Sequence, residues 1–206
     1  MLLAGRVQGS PPRLPLVQNC RHAASSRARL HRHQLVDRRG CRAVGRAGLH
    51  KAAREPMIEL VAYEPPLNDA LFAFLERCLP ESGRSFDLAG RHAYLERIED
   101  GFDAFWCLVE DGRDVVGCVG LRELEPGASE LKTLFLYERL QGRGWGRRLA
   151  ERAIARARLR GDAAVFLDTT SASRGAIALY RRLGFREIDR YNDNPAADVF
   201  MRLDLP

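Results

Sequence analysis

The distribution of apolar residues in this chain of 206 residues predicts seven β-strands, all of them after residue 56. Most are short runs in which apolar side chains alternate or follow one another, and they are rich in β-branched and aromatic residues. The predicted strands are Ile58–Tyr63, Asp103–Val109, Asp114–Leu124, Glu130–Tyr137, Ala164–Asp168, Arg186–Asp189 and Asp198–Leu203. Asp111 and Gly112 separate the second strand from the third, and this dipeptide is typical of a tight β-hairpin.

Apolar residues at helical spacing predict four helices between these strands. The predicted helices are residues 68–79, 87–98, 145–160 and 173–183. Gly161 and Gly184 are expected to end the third and fourth helices, and Ser171 or Ser173 to cap the fourth. The order of strands and helices predicts one mixed α/β sheet with helices on both faces.

The charge of the chain is divided between two segments. Residues 1–56 hold 12 Lys and Arg against two acids, whereas the remainder holds 21 against 25, so the sequence pI of 9.4 comes from the first segment. Prolines interrupt this segment and no apolar periodicity persists in it, which predicts a disordered leader. Its Arg-rich composition also fits a transit segment, and a strand beginning directly after Met57 favours a third interpretation, in which Met57 is the true start. Nucleic-acid binding by the acidic remainder is disfavoured.

The cysteines and the hydropathy bear on the compartment. Five cysteines, an odd number without a C-x-x-C pair, argue against both a disulfide framework and a zinc site. No stretch approaches the ~18 to 20 apolar residues of a membrane span. We therefore expect a metal-free protein of the reducing cytoplasm that does not associate with membranes. A homodimer stays open.

The most informative local feature is Gln141–Gly146, which follows a predicted strand and leads into a predicted helix. Its three glycines remove the Cβ atoms that would keep a ligand from the main chain, and a helix N-terminus attracts phosphate. Arg147 and Arg148 stand where a nucleoside-triphosphate loop has Lys followed by Ser or Thr. The spacing G-x-G-x-G also differs from the dinucleotide pattern G-x-G-x-x-G. ATP, GTP and NAD are therefore disfavoured.

Gln141–Gly146 resembles the Q/R-x-x-G-x-G/A pyrophosphate loop of the GCN5-related N-acetyltransferase (GNAT) family. Ala176–Phe185 resembles the A-x-x-L-Y-x-x-x-G-F helix and exit of the same family, and the two motifs occur in the family's order. The resemblance extends over about residues 57–206. It implies a single GNAT-like domain there, with a mixed, mostly antiparallel sheet of six to seven strands.

The resemblance implies acetyl-CoA as the co-substrate. Its pantetheine arm is expected along the main chain of the strand before the loop, and its pyrophosphate in the loop and at the first turn of the next helix. Ser173 stands where many members carry an asparagine that contacts CoA. The implied CoA-binding residues are Leu134, Phe135, Leu136, Gln141, Gly142, Arg143, Gly144, Trp145, Gly146, Arg147 and Ser173.

Two residues are predicted to be catalytic. Tyr180 matches the family tyrosine near the thioester sulfur, and a phenol with a pKa near ~10 can protonate a thiolate whose own pKa is near ~8.5. Glu130 begins the strand before the loop, where some members place a catalytic glutamate, and it is the predicted general base. The alternatives for the base are Glu123, Glu138 and Asp168. His92 is expected to be structural.

Taken together, the residues and the resemblance predict an N-acetyltransferase that moves acetyl from acetyl-CoA to a primary amine by direct attack. The acceptor, a small-molecule or peptide amine, is not specified. The resemblance places its pocket at Pro80–His92 and Tyr191–Pro195. Transfer through Cys107 or Cys118 is disfavoured because no histidine lies near either in the sequence. A non-catalytic acyl-CoA-binding module of the same fold is the alternative.

Overall fold

The computed structural model describes residues 55–206, and residues 1–54, which make up nearly all of the predicted leader, lie outside the described residues. The seven strands are β1 Ile58–Ala62, β2 Ala104–Glu110, β3 Asp114–Glu125, β4 Ala128–Leu136, β5 Ala164–Thr169, β6 Arg186–Ile188 and β7 Val199–Asp204. They form one sheet in the order β1-β2-β3-β4-β5-β7-β6. Only β4 and β5 pair in parallel, and the other five neighbouring pairs are antiparallel. The predicted mixed, mostly antiparallel α/β sheet is confirmed.

Four helices connect these strands. They are α1 Asn68–Glu81, α2 Ile98–Gly101, α3 Trp145–Arg160 and α4 Arg174–Arg182. α1 ends at a left-handed Gly83, after which the N–H of Arg84 donates to the carbonyl of Leu79 at 3.0 Å. α3 ends in the same way at Gly161, whose φ is 82°. Glycine is favoured at such helix ends because it lacks the Cβ that disfavours positive φ.

The helix predicted over Asp87–Ile98 is wrong. The structure has turns there, with a 3₁₀ turn at Ala93–Leu95 and α2 only from Ile98. The buried His92 explains the difference, because its Nδ1 accepts the N–H of Asp87 at 3.0 Å and its own N–H donates to the carbonyl of Asp87 at 2.9 Å. Local bonds of this kind compete with helical ones, and Gly90 further disfavours a helix.

Helices cover both faces of the sheet, as predicted. Successive residues of β2 point to opposite faces, so that Trp106 packs with the helices of one face and Cys107 with the helix of the other. α3 and α4 cover the first face through residues such as Leu149 and Tyr180, and α1 covers the second through residues such as Phe74. Burial of each large apolar side chain stabilises the fold by about 1.5–3 kcal/mol.

Candidate active site between two parting strands

The parallel pairing of β4 with β5 stops after three residue pairs, of which the last is Glu130 with Phe166. Both strands continue beyond this point. Thr133 marks the change in direction of β4, because its φ is 57° and the register of β3 against β4 shifts there. A β-branched residue at positive φ is strained, and the bulge bends the strand. The edge of β4 beyond Thr133 therefore faces a gap in the sheet.

A cavity of about 820 Å³ opens where the two strands part. This volume lies in the range of small-molecule sites. Most of the predicted CoA-binding residues line it: Leu134, Phe135, Leu136, Gln141, Gly142, Gly144, Gly146, Arg147 and Ser173. Arg143 and Trp145 are not part of the lining. Arg143 is exposed, and the half-buried Trp145 packs against the core with the guanidinium of Arg148 at 4.6 Å from its ring.

The glycine loop joins β4 to α3 at the wall of the cavity. Gly142 and Gly144 have φ values of 72° and 85°, and a Cβ built on either would meet no atom within 4 Å. The backbone conformation, rather than crowding, therefore requires glycine at both positions. Gly144 is also the N-cap of α3, so the N–H groups of the first helical turn have no intrahelical acceptor. These groups and the helix dipole favour an anion.

Arg84 is a cavity residue that the sequence reasoning missed. It follows α1, and its Nη2 donates to Ser173 Oγ at 2.7 Å and to Thr170 Oγ1 at 3.3 Å. The guanidinium thus crosses the cavity from the end of α1 to the start of α4. Ser173 occupies the N-cap position of α4, but its hydroxyl makes this contact instead of capping the helix. The sequence carries no signal for a contact between residues 89 positions apart.

Tyr180 lies on α4, beside the cavity-lining Leu179, and only 5% of it is exposed. Its ring packs edge to face on Phe185, with 5.7 Å between ring centres. Burial raises the pKa of the phenol, the nearby charge of Arg84 acts in the opposite direction, and Asp168 adds to the rise. No residue in the described part of the chain hydrogen-bonds to its hydroxyl.

Glu130 is fully buried and accepts hydrogen bonds on both carboxylate oxygens. Arg122 donates to Oε2 from Nε at 2.6 Å and from Nη2 at 2.5 Å. The Tyr191 hydroxyl donates to Oε1 at 2.7 Å, and Lys132 and Asn192 approach the same oxygen at 3.2 and 3.3 Å. Burial and the charge of Glu130 raise the pKa of Tyr191, which keeps this donor protonated. Glu130 therefore joins β3, β4 and the segment before β7.

Asp168 stands on β5, across the gap from Lys132. Its Oδ2 accepts from Lys132 Nζ at 3.2 Å and from the side-chain amides of Asn192 and Asn194 at 2.7 and 3.1 Å. Burial alone would raise the pKa of this carboxyl, but the charge of Lys132 and the two amides outweigh it and lower the pKa. Among residues 55–206, none donates to its other oxygen, Oδ1.

The remaining candidates lie away from this arrangement. His92 is buried with its pKa lowered, chiefly by desolvation, which agrees with the structural role expected for it. Burial raises the pKa of Cys107 to about 12 and that of Cys118 well above its usual range, so neither is an activated nucleophile. Within the described part of the chain, no three His, Cys, Asp or Glu side chains come together in a way that could hold a metal ion.

Residues 68–185 match the acetyltransferase (GNAT) family, and the chain belongs to this family. It is 36% identical over 89 residues to an uncharacterised N-acetyltransferase, YjgM, of Escherichia coli, a match that covers 42% of this chain and 53% of that protein. It is 30% identical over 128 residues to an IAA acetyltransferase of Azospirillum brasilense, which covers 62% and 84% of the two chains. The chain thus spans about half the length of the first of these relatives.

Solved structures share the fold. An acetyltransferase of the GNAT family from Staphylococcus aureus superposes with a TM-score of 0.66 at 22% identity, over 73% of this chain and all of that one. The PaiA N-acetyltransferase of Thermoplasma acidophilum, solved in complex with coenzyme A, gives 0.59 at 16% identity, over 72% and 99% of the chains. No helix of residues 55–206 has the length and apolar character needed to cross a bilayer.

Proposed function

We propose that this protein transfers an acetyl group from acetyl-CoA to a primary amine by direct attack of the amine on the thioester. The observation that carries the proposal is the cavity at the parting of β4 and β5, which has a helix N-terminus at one side and Tyr180 and Asp168 near its inner end. The family and the CoA complex of a protein with the same fold support it.

The residues around the cavity fit the carrier. The left-handed glycines leave the N–H groups at the start of α3 open to a diphosphate, and Arg147 adds positive charge. The unpaired edge of β4 offers main-chain groups to the two amides of pantetheine, in the manner of an added strand. We add Arg84 to the predicted CoA-binding residues because it spans the cavity from α1 to Ser173.

Tyr180 is proposed to donate the proton that the departing thiolate needs. Burial raises its pKa, so the phenol keeps its proton throughout the neutral range. Because the hydroxyl has no acceptor among the described residues, its proton is available for transfer to the sulfur. Bound acetyl-CoA would supply the activated acetyl group, and an amide of β4 near Leu134 would polarise its carbonyl.

Two carboxylates compete for the role of proton acceptor. Glu130, the base predicted from the sequence, stays a prediction, but both of its oxygens accept hydrogen bonds from neighbouring residues. Asp168 keeps Oδ1 open, and its charge acts on Tyr180 and on Tyr94. The contacts therefore favour Asp168 as the group that binds the ammonium of the acceptor and takes its proton, with Glu130 holding the surrounding residues.

Ligand binding tests the first half of the proposal. Thermal-shift titrations with acetyl-CoA, CoA and ATP should show stabilisation by the two CoA species only, about 2.7 kcal/mol at a concentration near 100 times Kd. No shift with either CoA species would overturn the proposal.

Amine-dependent release of thiol tests the second half, with spermidine, tyramine, lysine and alanine amide as acceptors. Asp168→Asn should lower kcat by about 10²–10⁴-fold, the usual contribution of a general base. Glu130→Gln should affect stability more than kcat, and Glu123→Gln, an exposed carboxylate paired with Arg160, serves as the control. The opposite ranking of Asp168 and Glu130 would return the base to Glu130.

A further inference from the structure

The segment between β6 and β7, which we call the 190–198 loop, is attached to the two parted strands. Asn192 and Asn194 donate to Asp168 on β5, and Tyr191 donates to Glu130 on β4. At its far end, Asp198 accepts the main-chain N–H and the hydroxyl of Ser171, both at 2.6 Å. The loop is therefore held in place before any acceptor binds.

Arg190 organises the main chain of this loop from within. Its Nη1 donates to the carbonyls of Asn192 and Asn194 at 3.3 and 3.1 Å, and its Nη2 donates to the carbonyl of Ala197 at 3.0 Å. The guanidinium also lies 4.6 Å from the centre of the Phe200 ring. A planar cation with several donors can satisfy converging carbonyls and stack on a ring at the same time, which a lysine cannot.

The two asparagines are aimed by the loop itself. Asn192 Oδ1 accepts the N–H of Asn194, and Asn194 Oδ1 accepts the N–H of Ala196, each at 3.1 Å. These Asx turns use the side-chain oxygens, and only the amide nitrogens are left to reach Asp168. The direction of both amides consequently depends on the main-chain path that Arg190 fixes.

We propose that Arg190 is a positioning residue for the acceptor site: it shapes the 190–198 loop so that Asn192 and Asn194 hold Asp168 in place for the amine. This rests on the proposed function, in which Asp168 receives the ammonium. Arg190 is not catalytic, since its contacts are made within the loop and to Phe200. Its loss should therefore act on the amine and leave CoA binding unchanged.

Steady-state kinetics of the full chain test this proposal, with the best amine of the panel above as the probe. Arg190→Ala should raise KM for the amine by about tenfold or more, because it removes several charge-assisted bonds, and leave KM for acetyl-CoA within about twofold. Arg190→Lys should fall between wild type and Arg190→Ala. Arg186→Ala, which removes an exposed arginine paired with Asp204 on the neighbouring strands, is the matched control and should change neither constant. Equal losses of amine and CoA affinity would overturn the proposal.

Hydrogen exchange gives a readout that does not depend on activity. In Arg190→Ala, the main-chain amides of the 190–198 loop should exchange faster, whereas those of α3 and β4 should not change. Equal exchange of the loop in wild type and variant would refute the role of Arg190. If wild type binds CoA but acetylates no amine of the panel, the proposed transfer fails, and the exchange result alone decides whether Arg190 orders the loop.

Discussion

Replacing Tyr180 with phenylalanine removes a single oxygen from the proposed site. Because no described residue hydrogen-bonds to that oxygen, the free energy of unfolding should change by no more than about 1 kcal/mol. A general acid contributes about 10²–10⁴-fold to a rate, so kcat should fall by that factor. At 1.36 kcal/mol per tenfold, this is a loss of about 2.7–5.4 kcal/mol of transition-state stabilisation. KM for acetyl-CoA should stay near the wild-type value.

The assay is the initial rate of thiol release at saturating acetyl-CoA, with the Tm of each variant measured alongside. Tyr63→Phe is a matched control, since it removes a hydroxyl that donates to Asn68 at 3.2 Å, away from the cavity. Burial raises the pKa of Tyr180, so the wild-type rate should not decline through loss of this proton below about pH 10. A Tyr180→Phe enzyme with kcat close to wild type would refute the proposed proton transfer. CoA binding without turnover in wild type would favour the non-catalytic alternative.

Three further outcomes follow from the geometry. Gly144→Ala forces a Cβ into φ 85°, a strain of about 1–2 kcal/mol, and should weaken CoA binding in calorimetry, whereas Gly127→Ala in a hairpin, at φ 79°, should cost similar stability with normal CoA affinity. Asp168 has a lowered pKa, so it stabilises the fold above its ordinary value of about 3.9 and this contribution is lost as the pH falls toward the folded pKa; the urea midpoint of Asp168→Asn should vary less between about pH 6 and 3 than that of wild type, and an equal variation would contradict this. Burial raises the pKa of Cys78 to about 12, which leaves about one thiolate in 10⁴ at pH 8, so peptide mapping should find Cys78 far less alkylated by iodoacetamide than a free cysteine.

The parts of the fold that follow from local sequence were predicted well. The glycine loop could be placed because a strand, three glycines and a helix follow one another within a few residues, and the structure finds Gly142 and Gly144 left-handed there. The hairpin at Asp111 and Gly112 and the helix end at Gly161 follow from the same backbone preference. In each case, one or two residues determine the local conformation without help from distant parts of the chain.

What could not be predicted depends on contacts between distant residues. Glu130 has the sequence of a strand-end carboxylate, and only the folded sheet brings Arg122 and Tyr191 to it and buries it completely. Arg84 meets Ser173 only because β4 and β5 part between them. The segment 87–98 has apolar spacing compatible with a helix, but a side-chain bond from His92 captures its main chain instead.

The strained Thr133 has a consequence for the handling of this protein. By turning β4 away from β5, it creates an unpaired strand edge in the middle of a sheet, in addition to the edges at β1 and β6. Unpaired edges are templates on which other chains can add strands and begin to aggregate. A carrier that lies along β4 would cover this edge. The ligand would then also act as a solubilising agent, and preparations depleted of it would lose monodispersity first at this opening.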